Sequence, residues 1–250
     1  MVGCECSVCT SADPRDQRTR HGAVVELGEE RRLLVDTPPE LRLQLVRSGI
    51  KGVDAVWYTH LHADHVHGID DLRIFTVRSK RAFPAYVPEG ALEGLHQRFS
   101  YIFDPRVQPS RGSSKPSIHL HPIRRGTPLE VLGRTFTPVA VPHGPVTVFG
   151  FRVGSLGYVT DAKRLPDPAL ETLRGVRILV LNALWFGNPH PTHFNVEEAV
   201  EAARKVGAER TFLTHITHRV RHEELVARLP DGVEPAFDGL KVEIQEEATK

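Results

Sequence analysis

The sequence predicts an α/β protein with two sheets packed face to face and helices outside. Strand-like apolar runs recur along nearly the whole chain, with helical segments scattered between them. They form two β-rich halves, each followed by helices, which two packed layers of sheet with outer helices would satisfy. Several runs end in histidine or aspartate, and open α/β sheets place their sites at strand carboxyl ends.

In chain order, period-two alternation or short β-branched runs predict strands over Ala23–Leu27 and Arg32–Asp36. Pro39 suits a first helical turn and Gly49 a helix end, so Pro39–Ser48 reads as a helix. The apolar Asp54-Ala-Val-Trp-Tyr58 predicts a buried strand over Ala55–Tyr58, and Trp57 and Trp185 read as core. A strand over Ala85–Val87 and a helix over Glu89–Phe103 follow. Val107–Ser117 is rich in Pro, Gly and Ser and reads as a surface loop. Strands are then expected at Ile118–Pro122, Phe136–Val141, Val146–Val153, Gly157–Thr160 and Ile178–Asn182, with a helix over Pro168–Leu173. Asn195 can cap a helix over Val196–Val206, with Glu197 and Glu198 at its positive end and Gly207 closing it. A strand over Arg210–Thr214 and a helix over His222–Leu229 complete the pattern.

The 250 residues suffice for one large domain or two small ones. Hydrophobic content of 40% and charged content of 25% are ordinary for a globular protein. A net charge of +1, from 32 basic and 31 acidic residues, gives no electrostatic argument for wrapping nucleic acid or an anionic membrane. No apolar run approaches the roughly 20 residues a membrane span needs. No apolar signal-peptide core opens the sequence, so a cytoplasmic location is expected.

His60, His62, Asp64 and His65 fall within six residues, in Thr59-His-Leu-His-Ala-Asp-His65. Buried without metal, each ring and carboxylate would need its own partner; the alternative is a solvated polar loop. Further metal-capable residues end strands: His143 after Val139-Ala-Val-Pro, Asp161 after Gly157-Tyr-Val-Thr, and His215 after Thr211-Phe-Leu-Thr. Cys4, Cys6 and Cys9 are too clustered for a disulfide framework. Cys-x-Cys-x-x-Cys supplies three thiolates, one short of the four zinc prefers, so a histidine elsewhere is expected as the fourth ligand. His67, Asp70 and Asp71 are candidates to orient the imidazoles of the main motif. His21, His96, His119, His121 and His222 read as surface or packing residues.

His-x-His-x-Asp-His, followed in order by a lone His, a lone Asp and a lone His, resembles the metallo-β-lactamase superfamily of hydrolases. The resemblance spans nearly the whole chain and implies a four-layer αββα sandwich with two mixed sheets, a single domain over residues 1–250. It implies that His60, His62 and His143 hold one divalent ion, that Asp64, His65 and His215 hold the second, and that Asp161 bridges them. Aspartate rather than cysteine at 161 matches the two-metal phosphodiesterase branch. Manganese, zinc and iron all accept such a nitrogen–oxygen set.

Gly3-Cys-Glu-Cys-Ser-Val-Cys9 is similar to the PhnP-type phosphodiesterases, which open phosphoribosyl 1,2-cyclic phosphate. In that family the cysteines and a downstream histidine hold a structural zinc. Here the segment over residues 1–20 would carry the zinc, with His218 as the fourth ligand. His193, in His190-Pro-Thr-His193, matches a position that contacts phosphate or protonates the leaving oxygen; His190 competes for it. His193 and Asp64 are therefore the candidate catalytic residues. The family usually begins with a strand and a Gly-Thr-Gly-Thr-Ser-like turn, whereas here Met1-Val-Gly precedes Cys4. Either the start is wrongly assigned or the sheet edge is shortened, and an exposed edge would then favour a homodimer or aggregation.

The implied activity is hydrolysis of small cyclic phosphodiesters, phosphoribosyl 1,2-cyclic phosphate or 2′,3′-cyclic nucleotides, by a hydroxide shared between two metals. Three alternatives compete. A tRNA 3′-processing endonuclease would carry a long arm between His143 and Asp161, where Gly144–Thr160 leaves no room. A thioester hydrolase of the glyoxalase II kind gives no reason for the cysteines. A non-catalytic zinc protein would not need all seven ligands.

Overall fold

Gly28, at φ 80°, turns the chain between the first two strands: the Leu27 amide donates to Arg31 O and the Arg31 amide to Gly28 O, and β1 (Ala23–Glu26) pairs antiparallel with β2 (Arg32–Val35). This hairpin opens one of two compact units in a computed structural model that describes residues 1–244. The first unit is Arg20–Arg134; the second is Met1–Thr19 with Thr135–Lys250.

In the first unit α1 (Leu41–Arg47), β3 (Ala55–Trp57), α2 (Ala63–Val66), α3 (Arg73–Ser79), β4 (Phe83–Pro88), α4 (Leu92–Arg98), α5 (Ser100–Phe103), β5 (Ile118–Ile123) and β6 (Leu129–Val131) follow. The sheet order is β1-β2-β3-β4-β5, parallel from β2 onward. Leu34, Val56, Ala85 and Val87 pack against Leu41, Leu45, Ile69, Leu72 and Leu95 from the helical segments. On the opposite face the register aligns Trp57, Tyr86 and His121, whose rings stack in a row across three strands. All three β3 residues are buried, as a parallel strand covered on both faces requires.

The second unit carries β7 (Arg134–His143), β8 (Val146–Val153), β9 (Leu156–Val159), α6 (Asp167–Leu173), β10 (Ile178–Asn182), α7 (Val196–Val206), β11 (Arg210–Thr214), α8 (His222–Arg228) and β12 (Val233–Pro235). Its strands lie in the order β12-β11-β10-β9-β8-β7, antiparallel among β7, β8 and β9 and parallel from β9 to β12. Gly144-Pro145 makes the two-residue turn between β7 and β8, with Gly144 at φ 57° in the first turn position, where only glycine is unstrained. Helix α7 buries Val196, Ala199, Ala202, Ala203 and Val206 in a core with Leu179, Leu181 and Leu213.

Two mixed sheets with helices match the expected α/β class. The expected helix over Glu89–Phe103 is instead a 3-10 turn and two short helices, broken where buried Phe99 leaves helical geometry at φ −118° and ψ 44°. Helices α2 and α3 and the three-residue strands β6 and β12 had no counterpart in the sequence pattern; the four-residue α2 and the two strands are too short for periodicity to register. Residues 104–117 form the expected loop. Among the described residues no helix is long and apolar enough to cross a membrane.

Candidate metal centres

In the first unit β3 delivers Tyr58 and Thr59 into the motif, and α2 begins at Ala63, so the ligand run spans a strand end and the first turn of a short helix. His60 and His65 are buried, Asp64 half-buried and His62 exposed. His60 Nε2 lies 2.9 Å from His62 Nδ1. Metal–nitrogen bonds of about 2.0–2.1 Å at tetrahedral angles put two nitrogens roughly 3.3 Å apart, so the pair suits one ion.

A residue the sequence reading treated only as the end of a strand holds this loop. Asp36 is fully buried, accepts from His65 Nδ1 at 2.7 Å, and takes both the Thr59 amide and hydroxyl at 2.8 Å. Thr59 Oγ1 in turn lies 3.0 Å from His60 Nδ1. The Nδ1 atoms of both buried rings are thereby engaged, which fixes ring orientation and turns Nε2 toward a ligand. Burial raises the Asp36 carboxyl pKa, opposed by the His65 ring and the Thr59 bonds. Gly68 lets the Thr37-Pro38 turn close on this segment: a Cβ there would lie 2.2 Å from the Pro38 carbonyl oxygen, while its amide donates to Thr37 O at 2.8 Å. Two of the residues expected to orient the imidazoles engage elsewhere. Asp70 accepts from Tyr101 Oη and pairs with Arg73, and His67 meets Phe99 edge-on. His21, expected to be bland, packs its ring 5.8 Å from that of His65.

In the second unit three strand ends converge on Asp161. The carboxylate is buried; Oδ2 lies 3.9 Å from His143 Nε2 and 3.3 Å from His193 Nε2, and Oδ1 lies 3.5 Å from His215 Nε2. Its two oxygens thus face different histidines, as a bridging ligand's would. Thr160 Oγ1 also donates to Oδ1, and the Asn182 side chain brackets the next residue by bonding both Ala162 N and Ala162 O. His143 is aimed by its Nδ1 contact with Thr192 O at 3.0 Å. His193 stands against Asp161, whereas His190 lies behind it, the two Nδ1 atoms 3.2 Å apart. Burial, then the nearby His193, Lys163 and Arg219, push the His190 pKa down. Asn195 caps α7 two residues later in a full capping box with Glu198.

Asp36, Asp161 and His215 all adopt left-handed backbone conformations, at φ 61°, 54° and 58°. Each costs about 1–2 kcal/mol for an L-residue. Such strain persists where surrounding bonds hold it, and it collects at functional sites.

Cys4, Cys6, Cys9 and His218 bring their ligand atoms within 4.8 Å of one another. His218 Nδ1 is 3.5 Å from Cys4 Sγ and 3.4 Å from Cys6 Sγ. Tetrahedral zinc with about 2.3 Å sulfur and 2.0–2.1 Å nitrogen bonds asks for roughly 3.6 Å. All three cysteines are free thiols, and the Cys9 amide, followed by His218, lowers the Cys6 pKa to about 6. Arg18 fastens the loop that carries His218: it donates to the carbonyls of Thr217 and Val220 and pairs with buried Asp16, which also accepts from His222 N. Three thiols with one imidazole make a closed zinc set, and imidazoles around a shared carboxylate suit divalent ions with open positions.

A family described as the beta-lactamase superfamily domain matches residues 31–216. The chain belongs to the metallo-β-lactamase superfamily. A crystal structure described as a new diphosphatase from the PhnP family superposes with a TM-score of 0.87 at 39% identity, covering 97% of this chain and 90% of that one. A protein of Porphyromonas gingivalis named octanoyltransferase is 32% identical over the whole chain, which spans only 50% of that relative's length. Ribonuclease Z of Bacillus velezensis is 23% identical, covering 92% of both chains. The αββα fold of the superfamily is the one the sequence led us to expect, and its use of divalent metal agrees with the donor sets described above.

Proposed function

We propose that this superfamily member is a dinuclear metal-dependent phosphodiesterase acting on small cyclic phosphodiesters such as phosphoribosyl 1,2-cyclic phosphate or 2′,3′-cyclic nucleotides. The two units act as one domain. His60, His62 and His143 take one divalent ion, Asp64, His65 and His215 the other, and Asp161 serves both. Cys4, Cys6, Cys9 and His218 take a structural zinc. The observation that carries the reading is Asp161, whose two oxygens address different histidines delivered by separate strands. Zinc, manganese or iron bound in such a pair supplies Lewis acidity and an activated water near neutral pH. Asp161 and the imidazoles orient the reacting groups, Asp64 adds negative charge beside them, and His193, with Nε2 beside Asp161, holds a proton where a departing sugar oxygen would need one.

The PhnP-family likeness at 39% identity favours this reading over the others, and the diphosphatase description of that relative extends it to diphosphate-linked diesters. A tRNA-processing reading gains nothing from the segment between His143 and Asp161, which contains only the β8–β9 hairpin. The name octanoyltransferase belongs to a chain twice this length. A cytoplasmic location fits the three free thiols.

The test is metal analysis with a panel of bis(p-nitrophenyl) phosphate, 2′,3′-cyclic nucleotides, lactoylglutathione and pre-tRNA. Turnover of the phosphodiesters is expected. Turnover of the thioester alone, or of pre-tRNA alone, would overturn the reading.

A further inference from the structure

The loop after β11 carries a cation that neither candidate centre uses. Arg219 is exposed, and its guanidinium carbon sits 4.2 Å from the centroid of Trp185. A guanidinium over an aromatic ring is held by the ring's quadrupole and keeps N–H groups able to bind a planar or tetrahedral anion. Among the described residues no carboxylate pairs with it, whereas nearby Lys163 is already engaged by both oxygens of Glu198 at 2.7 and 2.8 Å.

Trp185 is not the core residue the sequence suggested. It is half-buried, and its Nε1 donates to Asn188 O at 2.8 Å, which fixes the indole. His190 meets the indole edge-on at 5.5 Å, and the His193 ring lies 5.0 Å beyond His190. An unbroken run of ring contacts therefore leads from Arg219 to His193 and Asp161.

We propose that Arg219, placed over the Trp185 ring, is a specificity subsite for a second, non-reacting phosphate monoester carried by the substrate. The proposal rests on the phosphodiesterase reading and deepens it. A phosphomonoester brings nearly two negative charges and three acceptor oxygens, which the guanidinium fork binds bidentately. Binding energy gathered at a non-reacting phosphate positions the diester that is cleaved.

The test compares kcat/KM for adenosine 2′,3′-cyclic phosphate with and without a 5′-phosphate. In the unaltered enzyme the phosphorylated substrate is expected to be preferred by about 10–100-fold, the range for hydrogen bonds to a charged group. In Arg219→Met and Arg219→Ala that ratio should fall toward one. Arg219→Met keeps the aliphatic stem on Trp185, so its effect reports lost donors rather than lost packing, and the ratio cancels any loss common to both substrates. A ratio near one in the unaltered enzyme, or a ratio that both variants preserve, overturns the subsite. Should the unaltered enzyme hydrolyse neither these substrates nor bis(p-nitrophenyl) phosphate, the phosphodiesterase reading fails instead. Calorimetry with ribose 5-phosphate then decides the subsite: about tenfold weaker binding to Arg219→Met supports it, and equal affinity removes it.

Discussion

Two ligand clusters in the second unit share the four residues His215–His218 and are built in opposite ways. The cysteine cluster draws three thiols from one six-residue stretch, all half-buried, plus one imidazole. For a zinc ion that would be a complete donor set, with no position left for a substrate. The Asp161 cluster draws buried or half-buried groups from three strand ends and one bend, and two of its members sit in strained left-handed backbone. Its carboxylate turns its two oxygens to different histidines. The contrast teaches that a closed set on an irregular segment suits holding the chain together, whereas an open set on strand ends suits chemistry.

The largest expected effect separates the two. Asp161→Ala should lower phosphodiester turnover by about a thousandfold or more, since several kcal/mol of transition-state stabilisation goes with the metals it serves. Metal analysis should still find one zinc per chain. If the zinc left together with the other metal, the clusters would not be independent.

The reciprocal change comes next. Cys6→Ala should remove the single zinc, because metal affinity at such a site is folding free energy. The thermal midpoint should fall by about 5 °C or more, at roughly 2–4 °C per kcal/mol for a chain of this size. Turnover measured below the new midpoint should stay within about threefold, as for a change that leaves transition-state contacts intact. Loss of turnover with zinc still bound would make Cys6 part of the chemistry.

Legibility in the sequence followed the same divide. His60–His65 could be read because its ligands are contiguous, and the cysteines for the same reason. His143, Asp161 and His215 became legible only as an ordered set, since one histidine or aspartate after a strand means little alone. Asp36 was not legible. It too follows a strand, but nothing local marks it, and its work depends on His65 and Thr59, well over twenty residues away. Trp185 misled because large aromatics usually mean core, and only the fold shows Arg219 lying across its face. Short strands were placed where an apolar or β-branched run marked them, as for β1, β2, β3 and β9, while the three-residue β6 and β12 had no such run to detect.

The smallest effect sharpens the contrast by touching one cluster indirectly. Asn195 accepts from Glu198 N at 2.8 Å, and Glu198 accepts from Asn195 N at 3.1 Å, so the start of α7 is closed reciprocally just after His193. The Asn195 amide also donates to Gly187 O, tying down the bend that carries His190 and His193. Asn195→Ala removes all but the backbone share of this. It should cost about 1 kcal/mol, a midpoint shift of roughly 2–4 °C. Zinc content should not change, because nothing in the cysteine cluster depends on the cap, while KM for the phosphodiester should rise as the His190–His193 bend loosens. Calorimetric melting with zinc analysis and steady-state kinetics on the same preparation checks all three. A variant that melted lower and lost zinc would show that the loosened bend reaches the cysteine cluster through the shared His215–His218 loop, and the division of labour between the two centres would have to be abandoned.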